Sequence, residues 1–290
     1  MALEKKSPCK VNLLLNILGK RPDGFHELET VMHPVNLFDK VHCERGGNGI
    51  QLTCDEPTLP VDSKNLICRA ADAFLRAAKI SDGTRIRLEK KIPLAAGLGG
   101  GSGNAATTLL ALNELFDKPL SIAKLDELAA ALGSDVPFFL QTRPALATGR
   151  GEKILPLGFF PALRGKAFLL IHPGFGIATA WAYQTLARFP DALNGKAGRA
   201  QKLVSSLQAG DWRAAGGEFY NSLEAPALEK YPVLALFQEF LRANGALAAL
   251  MSGSGSTTFA IAENRAAAES LAEKFKSKFG TNCWTAVVEI

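Results

Sequence analysis

The 290 residues contain no Cys-x-x-Cys pair, no apolar run that approaches a membrane span, no lysine and arginine tract, no internal repeat and no low-complexity stretch. Each absence removes a class of protein. The five cysteines, Cys9, Cys43, Cys54, Cys68 and Cys283, are odd in number and widely spaced, which excludes a disulfide framework and a cysteine zinc site and leaves reduced thiols. Cys9 lies beside Lys10, but no histidine base is near it in sequence, so a nucleophilic role has little support. Spanning a bilayer takes roughly 18 or more apolar residues in a row, and none of the hydrophobic stretches is that long. The basic and then apolar N-terminus is interrupted by Lys10 and Asn12 and has no small-residue cleavage site, so the chain reads as cytoplasmic, with no membrane partner. A net charge of +5 without a basic tract fits anionic small ligands and implies no nucleic acid. The length predicts two moderate domains.

Two familiar phosphate-binding signatures are also missing. No GxxxxGK[ST] occurs, and no GxGxxG precedes the acidic residue of a dinucleotide-binding unit. What the chain has is Ile92 to Leu110, IPLAAGLGGGSGNAATTLL, with Gly97, Gly99, Gly100, Gly101 and Gly103 opening into a helix-forming segment. Glycine lets the backbone reach positive φ and approach a ligand closely, and a helix start presents unpaired N–H groups, so an anion such as a phosphate chain fits there. The competing reading is a flexible linker. Linkers are polar on both flanks, whereas this run lies between Ile92-Pro93-Leu94 and an apolar helix.

Around this loop the pattern is mixed. Lys10 to Ile17 alternates as a strand, with Lys10, Asn12, Leu14 and Asn16 on one face. Arg21 to Gly24 is a turn, leading into an extended segment at Thr30 to Val35. Further strands are expected at Asp39–Glu44, Ile50–Cys54 and Arg85–Lys90, with a helix over about 65–79 opened by Asp62-Ser63. Helices follow over about 102–116 and, capped by Ser121, over 121–132; Gly149 to Glu152 is a turn between strands. Beyond the strand Phe168–Ile171, helices are expected near 179–186, 197–209, 212–222 and 232–243. A glycine turn and a terminal strand at Cys283–Val288 complete an α+β chain.

Three segments would then converge: Lys10-Val11-Asn12, the glycine loop, and Ser252-Gly253-Ser254-Gly255-Ser256, which reads as a turn supplying N–H and O–H donors or, taken alone, as a hairpin tip. Their order resembles the three motifs of the GHMP kinase superfamily, nearly end to end, with Asn65-Leu66-Ile67 and Gly133-Ser134-Asp135-Val136-Pro137 in place. The block Asp23-Gly24-Phe25-His26-Glu27-Leu28 resembles the branch that acts on a cytidine diphosphate-linked polyol; homoserine, mevalonate and galactose kinases share the glycine loop but not that block.

The resemblance implies a two-domain GHMP kinase fold, a ribosomal-protein-like N-terminal domain over 1–163 and a ferredoxin-like C-terminal domain over 164–290. It implies phosphoryl transfer from ATP to the 2-hydroxyl of the methylerythritol unit, in the non-mevalonate isoprenoid route, with Mg²⁺ neutralising phosphate charge. Asp135 matches the catalytic carboxylate and Lys10 its partner; on chemistry alone the two would read as a plain ion pair. Pro93, Leu94, Ala95, Ala96, Gly97, Leu98, Gly99, Gly100, Gly101, Ser102, Gly103 and Asn104 would cradle ATP, with Asn65 and Lys90 or Lys91 near the adenine. Ser102 would be the hydroxyl beside Mg²⁺; many members have Ser-Ser where this chain has Ser102-Gly103. Asn12, Phe25 and His26 would hold the substrate, and Thr179, Trp181 and Tyr183 lie where the family closes the cytidine pocket, although their helical spacing fits plain packing equally well. Phe25 is often Tyr in the family, and Phe keeps the stacking face without the hydroxyl. Two alternatives stay in view: another small-molecule kinase of the superfamily, and a nucleotide-binding protein without catalysis, against which the presence of both Lys10 and Asp135 argues.

Overall fold

The computed structural model describes residues 2–290. Two strands, β1 (Ala2–Lys20) and β2 (His26–Arg45), are more than three times the usual strand length of about 5–6 residues and set the plan. Between them Arg21 N–H donates to Phe25 O at 2.8 Å, with Gly24 at φ +85° making the reversal. The sequence predicts two separate extended segments, Thr30–Val35 and Asp39–Glu44, but one strand runs through both. Residues 28–32 pair with one neighbour and 40–45 with another, so Pro34 falls where neither ladder needs its missing N–H.

The chain forms two compact units, and they interleave: Met1–Cys9, Leu37–Pro93 and Gly99–Thr142 make the first, Lys10–Asn36, Leu94–Leu98 and Arg143–Ile290 the second. Sequence suggested one cut between 163 and 164; because β1 and β2 are long enough to serve both units, the compact units are discontinuous in sequence.

In the first unit β3 (Ile50–Cys54) runs parallel to β4 (Thr84–Glu89), which pairs antiparallel with the end of β2. α1 (Leu66–Ala78) and α2 (Gly100–Leu115) pack together, and their buried apolar side chains include Ile67, Phe74, Leu109 and Leu112. The cap of α1 is Asn65, whose Oδ1 accepts from Ile67 N at 2.9 Å, while Asp62 accepts from Lys64 N at 2.8 Å and builds only the preceding turn. α3 (Ile122–Leu132) starts on Ser121 and ends at Gly133, as expected. A single helical turn at Pro137–Leu140 then buries Phe138 and Phe139.

In the second unit β5 (Ala145–Gly149) joins the first half of β2 and the short β6 (Lys153–Pro156). After β7 (Ala167–His172) come α4 (Thr179–Thr185), α5 (Pro190–Leu193), α6 (Arg199–Ala209) and α7 (Trp212–Gly216). The helix expected over 212–222 stops here. Glycines 216 and 217 weaken it, and Tyr220-Asn221 instead form β8, parallel to Leu14-Leu15 of β1. The remaining elements are α8 (Glu224–Lys230), α9 (Pro232–Ala243), β9 (Ala248–Met251), β10 (Thr258–Ala262), α10 (Arg265–Phe279) and β11 (Trp284–Glu289). They build an antiparallel sheet in the order β11-β7-β10-β9. Leu169, Ile171, Ala260 and Met251 on one face share a core with Phe237 and Leu241 of α9 and Phe275 of α10. Alternation puts Phe168 and Phe259 on the other face, where Phe168 meets His33 of β2 at 5.7 Å between rings. Among the described residues no helix is long and apolar enough to cross a membrane.

His33 is buried and neutral: Nδ1–H donates to Pro34 O at 2.7 Å, Nε2 has no partner, and burial lowers its pKa from 6.5 to about 4. The unfolded chain takes up this proton near pH 6.5 and the folded chain only near 4, so the contribution is complete above pH 6.5 and is lost as pH falls towards 4. The span corresponds to about 3 kcal/mol. Denaturant unfolding as a function of pH should show stability falling across that window, and His33→Leu should flatten the slope there; an unchanged slope would remove His33 from the account.

Candidate functional site

β1 delivers Lys10 and Asn12 to one face of the second unit, two residues apart. Lys10 is 3% exposed, and its Nζ donates to Asn12 Oδ1 at 2.5 Å. Asn12 Nδ2 donates to Thr30 Oγ1 at 2.8 Å, and Thr30 Oγ1 donates to Leu14 O at 2.5 Å. The sequence offered Asn12 as a ligand contact; in the structure its carbonyl aims the Lys10 ammonium and β2 holds its amide.

The turn between β9 and β10 lies beside them. A Cβ on Gly253 would stand 3.2 Å from Lys10 Nζ, and one on Gly97 would stand 2.0 Å from Ser252 O. Gly97, at φ +74°, is therefore required by the contact of two backbones, which Ser252 Oγ seals by donating to Gly97 O at 3.0 Å. The serines expected to offer hydroxyls outward are engaged within the protein: Ser254 Oγ shares a hydrogen bond of 2.9 Å with Thr179 Oγ1, and Ser256 Oγ donates to Phe175 O. Thr257 N donates to Ala96 O at 3.1 Å and Lys10 N to Leu98 O at 2.9 Å, so the Leu94–Leu98 stretch is held from both sides. Asn221 escaped the sequence reading altogether. It is 1% exposed; Nδ2 donates to the carbonyls of Met251 and Gly253, both at 2.8 Å, and Oδ1 accepts from Leu223 N at 2.9 Å.

The aromatic residues of the same unit divide. Phe25 is half exposed, with the Arg150 guanidinium 4.6 Å from its ring centre. His26 lies 5.1 Å, ring to ring, from Tyr183; burial, and secondarily the charge of Lys20, lower its pKa, so at neutral pH it offers one donor and one acceptor. Thr179 is exposed at the start of α4 and tied to Ser254. Trp181 is turned towards packing: Lys230 Nζ lies 4.3 Å over its ring, Tyr231 meets it edge-on, and it leans on the α9 core.

In the first unit the glycine run enters α2 two residues earlier than expected. Gly99 takes the left-handed conformation at φ +69° and Gly103 N–H donates to Gly99 O at 2.8 Å, so the amides of Gly100, Gly101 and Ser102 have no acceptor within the helix. The glycines serve different ends. A Cβ on Gly103 would lie 2.5 Å from Pro8 O, so the residue is small because α2 crosses β1 closely there. On Gly101 it would meet only Leu66 Cδ1, at an ordinary 3.8 Å; packing within the protein does not require that glycine.

A buried carboxylate that the sequence reading passed over, Asp39, bonds to both flanks of the loop. Its Oδ1 accepts from Lys91 N and Ile92 N at 2.8 and 2.9 Å, and its Oδ2 from Asn104 Nδ2 at 2.9 Å and from Lys90 Nζ. Lys90, read from the resemblance as an adenine neighbour, has its ammonium in this pair; Lys91 is exposed. Asn65 uses both ends of its amide locally, capping α1 and donating to Pro60 O at 2.8 Å. Asp135 is half-buried in the turn after α3, which Val136 N closes onto Gly133 O at 3.1 Å. No three His, Cys, Asp or Glu side chains gather to hold a metal among the described residues.

Two family models match the chain, the GHMP kinases N terminal domain over residues 65–143 and the GHMP kinases C terminal domain over 203–281. A protein of Pelotomaculum thermopropionicum named 4-diphosphocytidyl-2-C-methyl-D-erythritol kinase is 41% identical, the match covering 95% of this chain and 94% of that one. One of the same name from Synechococcus sp. is 42% identical over 87% of this chain and 82% of its own. Among solved structures, a 4-(cytidine 5'-diphospho)-2C-methyl-D-erythritol kinase superposes with a TM-score of 0.81 at 35% identity, over 99% of this chain and 100% of the other. A homoserine kinase of Cytophaga hutchinsonii shares the fold, with a TM-score of 0.75 at 21% identity over 100% and 94%.

The two kinds of glycine separate in a stability measurement. Gly97→Ala should destabilise the chain by about 2 kcal/mol or more, from positive φ and backbone overlap. Gly101→Ala, inside a helix, should leave stability unchanged or raise it by up to about 1 kcal/mol. Equal melting temperatures for the two variants would contradict this assignment.

Proposed function

The chain belongs to the 4-diphosphocytidyl-2-C-methyl-D-erythritol kinase family of GHMP kinases, and on that premise we propose how its residues carry the reaction. It is a small-molecule kinase that transfers a phosphoryl group from ATP to the 2-hydroxyl of 4-diphosphocytidyl-2-C-methyl-D-erythritol, in isoprenoid precursor synthesis. The observation that carries this reading is similarity to kinases of one name along nearly the whole chain.

In phosphoryl transfer the protein has little covalent work to do; it positions the partners and neutralises charge. The open amides of Gly100, Gly101 and Ser102, at the positive end of the α2 dipole, suit the ATP phosphates, and the absent Cβ of Gly101 leaves room for them. Lys10, buried and aimed by Asn12, would place a fixed positive charge against the transferring phosphoryl group. Asp135 would accept the hydroxyl proton as the oxygen attacks. Neutral His26 has the donor and acceptor to read a cytosine edge, and Phe25, backed on one side by Arg150, has a free face for the base. Mg²⁺ fits as an ion carried in by the nucleotide, since such ions keep several waters and take one or two protein oxygens, here the Ser102 hydroxyl; bound, it would neutralise phosphate charge. Five free cysteines suit the reducing cytoplasm, where we place the protein.

A coupled assay of ADP release with the cytidyl substrate, homoserine and mevalonate tests the reading: turnover should be confined to the first, and turnover of another alcohol alone would overturn it. Asp135→Asn should lower kcat by about a thousandfold while ATP affinity stays within about twofold; retained turnover would remove the assigned base. Arg150→Ala should raise KM for the cytidyl substrate about five- to tenfold and leave KM for ATP unchanged; a shift in the ATP value instead would place Arg150 elsewhere.

A further inference from the structure

We infer that Asp39 is a positioning residue for the phosphate loop, fixing where the α2 amides stand by tying the strand that enters the loop to the helix that leaves it. The inference rests on the loop's reading as the nucleotide site. Asp39 is fully buried, on the inward side of β2 with Val35, Val41 and Cys43, where an isolated carboxylate would be costly. It is sustained there because both oxygens are filled. Oδ1 takes the amides of Lys91 and Ile92, the last residues before Pro93; Oδ2 takes Lys90 Nζ and the side-chain amide of Asn104. Asn104 Nδ2 also donates to Ser7 Oγ at 2.9 Å, so the exit is bound to β1 as well.

Position along the helix gives this bond its reach. Asn104 is four residues beyond Gly100, one turn on and on the same face, so fixing its side chain fixes the turn whose free amides would meet the phosphates. The Lys90 ammonium stands 3.4 Å from where a Gly100 Cβ would be, directly under that turn. Asp39 therefore acts on the nucleotide without touching it, by setting where the amides stand.

An asparagine at 39 has one carbonyl oxygen in place of two carboxylate oxygens. With that oxygen towards Lys91 and Ile92, its amide faces two donors, Lys90 Nζ and Asn104 Nδ2, and the exit tie is lost while the entry tie is kept. Asn104→Leu breaks the same tie from the helix side. The test is the affinity of a non-hydrolysable ATP analogue for wild type, Asp39→Asn, Asn104→Leu and the double variant, with melting temperatures to confirm folding. Each single change should raise Kd for the analogue about tenfold, and the double should be close to the singles, because one tie cannot be cut twice. Affinity for the cytidyl substrate should stay within about twofold throughout. Multiplying effects of about a hundredfold in the double, equal loss of both ligands, or unchanged nucleotide affinity in the folded variants would overturn the inference. If Asp39→Asn fails to fold, Asn104→Leu alone still reads the tie. Turnover by the wild-type preparation is checked first: its absence would count against the functional reading, while the binding series would still judge the role of Asp39.

Discussion

A loop of bare amides binds phosphate only if something outside it decides where those amides stand, and in this chain the Asp39 carboxylate makes that decision for the first unit. It accepts from the backbone just before the loop and from a side chain one turn into the helix just after it. The arrangement turns an entropic liability, five glycines in seven residues, into a closed and bonded segment. Its cost is a buried charge, which is tolerable because four donors meet it, one of them a paired ammonium.

The same logic governs the second unit, with different bonds. There the Leu94–Leu98 stretch is held by Lys10 N and Thr257 N and by the near-contact of Gly97 with Ser252, and the serine turn is held by Asn221 and by its own hydroxyls. The glycine- and serine-rich motifs are thus largely scaffolding for each other. Ala95 shows the tension: it is a non-glycine residue at φ +49°, and a Cβ on Gly176 would stand 2.5 Å from its side chain. Lys10 belongs to this scaffold and, in the proposed reaction, to the chemistry as well, since the Asn12–Thr30 chain that holds its ammonium also fixes its direction.

What could be read from sequence was local. The glycine run, the two-residue spacing of Lys10 and Asn12 on a strand face, the Ser121 cap and the Asp23 to Leu28 block needed no partner from elsewhere to be recognised. Where a distant partner decides, the reading failed. Thr30–Val35 and Asp39–Glu44 looked like separate strands because the partners that extend β2 lie more than 100 residues away for its first half and about 40 to 50 for its second. Tyr220-Asn221 looked helical because the strand that captures them is β1. The three serines looked like donors to a ligand because their partners, Gly97, Phe175 and Thr179, are far off in the chain. Asp39 alone left a legible trace: an acid in the inward register of Val35, Leu37, Val41 and Cys43 contradicts its strand and so asks for a buried partner.

The central claim, that the start of α2 is where the nucleotide phosphates bind and that Phe25-His26 belongs to the cytidyl side, is tested most directly by amide hydrogen exchange on the wild-type protein with each ligand in turn. The account predicts that a non-hydrolysable ATP analogue slows exchange at Gly100, Gly101 and Ser102 and leaves Phe25 and His26 unchanged, and that the cytidyl substrate does the reverse. Nucleotide that leaves those three amides exchanging as in the free protein would contradict it.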